Sequence, residues 1–385
     1  MLSVFRLYSP FYSMGVYYLK KLFALSAFFF AFIILILKHD TYFLGIKNGF
    51  SFCTGILIPS LFPFMFLSSF MVRSKIAVSI GKLFSFFTKP LFYLPGYTAP
   101  AMILGLTGGY PTGAKTVKSL LEENLINQEQ ANRMMYFNVG AGPAFIIGAV
   151  GKVLLKSEKI GVIIFICQII FSILLGIFLG FYSRITKKEF YEVSIRKSEN
   201  SKIRFSNSLI ESCQDAVNST INMCSPVILF YAFISIINSF NLEKFINLPI
   251  FEHIAKLFIP ILLEVNSSCN LIAHEFYSPT LIAFAIGWGG LCVHLQIISV
   301  LNLEKNFKFL NFMIFRLIQG LGAAGLVHFV ISKMGISVQT VQQISNNSVS
   351  PALSTSLQGS FALILVCLYF INNTLQIKTC IRKYS

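Results

Sequence analysis

Apolar residues run along this chain in long stretches without a charge. Between Lys47 and Arg73 lie 25 uncharged residues, between Lys89 and Lys115 another 25, between Lys159 and Arg184 24, and between Asp215 and Glu243 27. About 20 apolar residues in a helix cross a bilayer, and a charge at its centre costs roughly 2.5 kcal/mol or more. Each stretch therefore predicts helix that crosses a membrane. A further apolar run, Leu22 to Leu37, follows Lys20 and Lys21. It has the flanks of a secretory signal, but no small-residue cleavage site follows before Lys38, His39 and Asp40, so it is expected to stay as a first membrane helix.

Prolines and glycines recur at related distances along these runs. Pro59 and Pro226 are 167 residues apart, Pro90 and Pro260 170, Gly108-Gly109 and Gly289-Gly290 181, and Gly140-x-Gly142 and Gly320-x-Gly322 180. Four ordered matches predict a duplication. An apolar helix closes each unit, Ile160 to Tyr182 and about Ser360 to Ile371. The organisation expected is an N-terminal membrane helix in 1–46, a first repeat in 47–182, a basic loop in 183–206, a second repeat in 207–376 and a basic tail in 377–385.

The helices of these halves are expected to be broken. Pro95-Gly96 interrupts the run from Leu91, and Leu257 to Leu263 is too short to span before Glu264. Both places predict re-entrant hairpins with polar tips, one with Pro95, Gly96 and Thr98, the other with Glu264, Asn266, Ser267, Ser268 and Asn270. Backbone freed in this way persists in a membrane only where protein or a hydrated cavity satisfies it, and interrupted segments at corresponding places of two halves point to a transporter's binding site. The fold class is thus an all-α polytopic membrane protein of two homologous halves, arranged as an inverted pair.

Composition sharpens the picture. The chain has 385 residues, 55% hydrophobic and only 12% charged, against about a quarter charged in soluble domains. That excludes an ordinary soluble enzyme. The net charge of +16 sits at the ends of apolar runs, so it marks topology, not a nucleic-acid partner. The densest basic cluster, Arg184 to Arg204, is placed in the cytosol. Eight cysteines are scattered singly, without a C-x-x-C pair, and predict neither disulfides nor zinc.

No metalloprotease, serine-hydrolase or ATPase signature is present, so neither enzymatic activity, a metal nor a cofactor is expected. The strongest local constellation is Gly108-Gly109-Tyr110-Pro111-Thr112-Gly113-Ala114-Lys115. Its glycines permit close backbone approach, Pro111 and Thr112 suit a helix start, and a helix N-terminus attracts anions. Lys115 either adds a charge to that site or snorkels to the membrane face. The matching stretch from Gly287 to Gln296 places His294 and Gln296 within a long uncharged segment, where they face an interior pathway or bond between helices. Glu264 is costly at depth unless protonated, paired or hydrated; it carries a proton, binds Na⁺, pairs with Lys115, or lies at the aqueous face. Asn127 and Gln130 have capping-box spacing and predict a short second helix after a solvated connector.

In order along the chain, LFPF, LPG, GGYPTGAK, Arg133 with Asn138 and Gly142-Pro143, LLEVN and GWGGLCVHLQ resemble the YlbJ or SpoVV family of sporulation integral membrane proteins, over about residues 40 to 335. The resemblance implies a nucleoside-recognition Gate domain similar to that of concentrative nucleoside transporters, and transport of dipicolinate across the outer forespore membrane. On that reading Gly108, Gly109, Tyr110, Thr112, Lys115, Asn138, Asn266, Ser267, His294 and Gln296 bind the solute and Glu264 couples H⁺ or Na⁺. The partners expected are the small anion and the bilayer, with no nucleic acid, and a homo-oligomer is compatible. Two other classes stay open: a nucleoside or other small-solute cation symporter, and a non-transporting sporulation scaffold. An inverted pair places the C-terminus opposite the Arg184 loop, whereas Lys378, Arg382 and Lys383 place it on the same side.

Overall fold

The computed structural model describes residues 36–187, 190–192, 205–239, 257–301 and 307–334, together with 25, 26, 29 and 33. All described elements are helical, and no strand occurs among the described residues. Much of the first membrane helix, all of Ser360 to Ile371 and the basic tail lie outside the described residues; Leu25, Phe29, Ile33 and Ile36 are helical.

The long helix α1 spans His39–Arg73 and passes through a π-helical turn at Cys53–Leu57. It thus begins before the boundary expected at 47. Then come α2 (Ile76–Phe87, ending in a π turn at Thr88–Phe92), α3 (Ala99–Thr107), α4 (Tyr110–Glu122), α5 (Gln128–Phe137), the π-helical α6 (Ala144–Leu154) and α7 (Glu158–Ile185). Beyond the basic loop lie α8 (Phe205–Ser239), a short helical run over 257–263, α9 (Val265–Leu271, ending in a π turn at Ile272–Phe276), α10 (Pro279–Trp288), α11 (Gly290–Leu301) and α12 (Phe309–Lys333). The helices α1, α7, α8 and α12, and α10 with α11, are each long and apolar enough to cross a membrane. Composition and helix length together establish an all-α polytopic membrane protein.

Pro59, Pro63 and Pro226 interrupt nothing: all three lie within continuous helix. In α1 the adjoining π turn relaxes the hydrogen-bond ladder where proline removes a donor. The pairs Gly108-Gly109 and Gly289-Gly290 do break their helices. Gly109 has φ +96°, Gly289 +83° and Gly290 +71°, a region that favours glycine. Gly140-x-Gly142 separates α5 from α6, but Gly320-x-Gly322 leaves α12 unbroken. There glycine serves contact instead: a Cβ on Gly287 would lie 2.4 Å from the Cα of Gly320, which brings α10 and α12 backbone to backbone.

Two elements have similar turns. The π turn of α2 ends at Tyr93, with φ 53°, and that of α9 ends at Tyr277, with φ 42°. The first leads through Pro95-Gly96 into α3, with Gly96 against the Gly81 carbonyl, and the second through Ser278 into α10. The second turn therefore lies at Tyr277-Ser278 and not at the polar run after Glu264. Glu264 is a single extended residue, φ −151° and ψ 129°, between two helical pieces. Pro90 stands within a π turn and Pro260 within the 257–263 run, so the two are not equivalent positions. The helices α1 and α8 pack together, with Gly45 and Gly49 against Tyr231, Ala232 and Ile228.

Candidate functional site

The double glycine before α4, the Gly140–Pro143 break before α6 and the single-residue break before α9 end at one cavity. It is lined by Gly108, Gly109, Tyr110 and Pro111 of the first break, Gly142, Pro143 and Ala144 of the second, Glu264 and Val265 of the third, and Val293 and Gln296 from α11. Phe52, Leu57, Ser60, Leu61 and Phe64 of α1 and Val227 of α8 complete its apolar wall. Its volume is about 50 Å³, room for a few waters at roughly 10–15 Å³ each. Three helix N-termini, those of α4, α6 and α9, border it. Each leaves backbone N–H groups without intrahelical partners, a local positive pole.

Glu264 occupies one of these poles itself. It is 2% exposed, and its carboxylate accepts from the backbone N–H groups of Asn266 at 2.9 Å and Ser267 at 2.6 Å. An extended residue preceding a helix is the N-cap position, and glutamate here caps through both carboxyl oxygens. The Ser268 hydroxyl closes the same turn by donating to the Glu264 carbonyl at 2.5 Å.

Of the residues expected at the solute, Gly108, Gly109, Tyr110, Gln296 and Glu264 line this cavity. The rest do not. Thr112 donates to the Gly108 carbonyl at 2.8 Å and so ties the helix start to the glycine turn. Asn138 donates to the Ala101 carbonyl at 3.2 Å and fills the space that the missing side chain of Gly105 leaves. Asn266 donates to the Tyr231 hydroxyl, and Ser267 contributes its backbone N–H. His294 shares a 2.6 Å hydrogen bond with the Gly290 carbonyl and lies tilted to Trp288 and edge-on to Phe309 and Phe312.

Lys115 lies apart from the cavity lining. It is buried and pairs at 3.7 Å with Asp215 of α8, not with Glu264. Asp215 also accepts from Arg73 at 2.7 and 3.0 Å and from Ser69 at 3.0 Å, while Arg73 reaches Glu211 at 2.8 Å. A compensated network thus joins α1, α4 and α8. Lys115 is thus directed to a partly exposed acid at the Arg73 end of α1. Asp215 entered the sequence argument only as the boundary of an uncharged run; its partner is on another helix, which spacing alone does not reveal.

Arg316 is the other residue that sequence reasoning left without a role. Fully enclosed in α12, it donates to the Val139 and Ile286 carbonyls. Those carbonyls follow or end α5 and α10, so Arg316 satisfies backbone freed at two helix ends. Gln319 and Gln168 continue this polar seam through Ala283 at 2.7 Å.

No family model matches the chain, and no solved structure matches it. Among curated proteins it is similar to the sporulation integral membrane protein YlbJ of Bacillus subtilis (strain 168), 26% identical over 308 residues, which cover 73% of this chain and 75% of that protein. Together with the ordered motifs from LFPF to GWGGLCVHLQ, this match supports assignment of the chain to the YlbJ family of sporulation integral membrane proteins.

Proposed function

We propose that the chain is a carrier which moves a small solute through the cavity among the helix breaks, with dipicolinate, implied by the family resemblance, as that solute and the outer forespore membrane as its place. The observation that supports this reading is the convergence of helix starts from both sides of the basic loop on one cavity lined by a carboxylate residue, Glu264. Interrupted helices facing a common cavity are the usual design of a transporter's binding site. Two 35-residue helices, two π turns ending in left-handed tyrosines and two double-glycine breaks support a duplicated, inverted architecture akin to concentrative nucleoside transporters.

Electrostatics sets the terms of passage. An anion in the cavity gains from the N-termini of α4 and α6 but faces Glu264. Two like charges about 4 Å apart repel by roughly 4 kcal/mol even at an effective dielectric of 20. Entry of dipicolinate is therefore matched by a proton or Na⁺ at Glu264, which makes the carrier a symporter. A space of this size admits the pyridine dicarboxylate only when the surrounding helices part, as alternating access requires. One observation favours a second reading: among the described residues neither lysine nor arginine lines the cavity, and Lys115 is held by Asp215. A neutral, nucleoside-like solute coupled to a cation at Glu264 fits that lining.

Uptake into proteoliposomes, with dipicolinate and uridine in competition and imposed H⁺ or Na⁺ gradients, tests both. Saturable, gradient-driven dipicolinate uptake that uridine does not compete with supports the first. Uridine uptake alone supports the second. Absence of both from protein shown to be folded points to a scaffold and overturns the carrier reading.

A further inference from the structure

A second, larger cavity of about 420 Å³ lies between α5, the C-terminal part of α7 and the N-terminal part of α12, away from the helix breaks. Its polar wall consists of Asn132, Arg133, Lys308 and Asn311, with Glu129 the acid among them. Arg133 is 7% exposed; it donates to the Tyr93 carbonyl, yet its Nε has no hydrogen-bond partner among the described residues. A guanidinium so enclosed, with Glu129 on the same wall but no ion pair within 4 Å among the described residues, is an expensive arrangement that an added anion would relieve. Lys308 stands at the N-cap of the 25-residue α12 without a side-chain cap, so the positive helix end adds to the two cations. The other wall is apolar, with Phe178, Tyr182 and Phe315. Phe178 is 61% and Tyr182 53% exposed, and Leu310 and Ile314 of α12 continue this outward apolar surface. Ser183, also in the wall, adjoins Arg184, where the basic loop begins; the charge distribution places that end of α7 at the cytosolic face.

We propose that this cavity holds the phosphate headgroup of an anionic phospholipid from the cytosolic leaflet, with its acyl chains along the exposed faces of α7 and α12. The cations, the amide side chains and the helix end meet the phosphate, as basic pockets between membrane helices do. The continuous apolar flank favours an amphiphile over a free anion. A lipid here spans α5, α7 and α12 and braces the elements on which the α5–α6 break rests.

The full-length protein in detergent, titrated with phosphatidylglycerol, phosphatidylcholine or inorganic phosphate and followed by thermal unfolding, tests the assignment. Phosphatidylglycerol raises the Tm at lower concentration than phosphatidylcholine, and phosphate alone does not. Lys308→Gln weakens the phosphatidylglycerol midpoint about fivefold, a single surface cation's share, and Arg133→Gln about tenfold or more. Should Arg133→Gln not fold, Lys308→Gln and Asn311→Asp, both at exposed positions, carry the test. Equal response to the two lipids, equal stabilisation by phosphate or dipicolinate, or unchanged midpoints in Lys308→Gln and Asn311→Asp overturns it.

Discussion

The Tyr110 hydroxyl and the Arg316 guanidinium donate to one acceptor, the Ile286 carbonyl, at 2.7 and 3.3 Å, with the guanidinium 5.6 Å from the Tyr110 ring centre. Ile286 lies in the last turn of α10, where a carbonyl has no intrahelical donor. One oxygen therefore ties α4, α10 and α12 together. Tyr110→Phe leaves Arg316 in place and costs about 1 kcal/mol. Arg316→Leu strips a donor from two carbonyls and costs about 3 kcal/mol or more. Unfolding in mild detergent measures both, and the double variant shows coupling of at least about 0.5 kcal/mol because the two share a partner.

Asp215→Asn leaves Arg73 and Lys115 facing each other without their common acid. Breaking a fully buried pair costs about 3–5 kcal/mol; with 26% of its side chain exposed, Asp215 is expected to cost about 2 kcal/mol after discounting for solvent. Adding Lys115→Met restores a good part of that loss. If Lys115 instead serves the solute, this second change abolishes uptake while stability recovers, and the two readouts separate the roles.

Gly320 and Gly325 lie on one helix and make opposite predictions. A Cβ on Gly320 meets the Phe284 carbonyl at 3.0 Å and the Trp288 amide nitrogen at 3.1 Å, whereas one on Gly325 meets nothing within 4 Å. Gly320→Ala is expected to destabilise by about 1–3 kcal/mol through overpacking. Gly325→Ala is neutral or stabilises by up to about 1 kcal/mol through helix propensity. Thermal unfolding of the two variants side by side checks this.

Glu264→Gln keeps one acceptor oxygen but turns an NH₂ toward an N–H that the carboxylate now satisfies. The loss is about 1–2 kcal/mol, small enough for a folded protein. Uptake by that protein is expected to lose its dependence on the imposed ion gradient. Retained gradient dependence in proteoliposomes would dismiss Glu264 as the coupling group.

What the chain disclosed in advance was mostly backbone. Glycine at positive φ, as at Gly109 and Gly289, is a local demand, so the breaks are legible, and so is the capping box: the Gln130 backbone N–H donates to the Asn127 side chain at 2.8 Å and the Asn127 backbone N–H to the Gln130 side chain at 3.2 Å. Gly320-x-Gly322 looked the same in sequence but serves helix contact, because the same absent side chain allows either a turn or a close approach. Pro59 and Pro226 mark no break for a related reason: a π turn or a long packed helix absorbs a proline that would stop an isolated one. Glu264 stood out by its apolar surroundings, while its bonds to Asn266 and Ser267 came only with the fold. Lys115 and Asp215 are 100 positions apart, and their pairing depends on how α4 meets α8, a tertiary fact without a local sign.

The side chain that edges the central cavity also fastens the first turn of α9 through two backbone donors. On the proposed carrier reading, a change of charge on Glu264 would alter both of those bonds, so the cavity edge and the order of the α9 start would respond together.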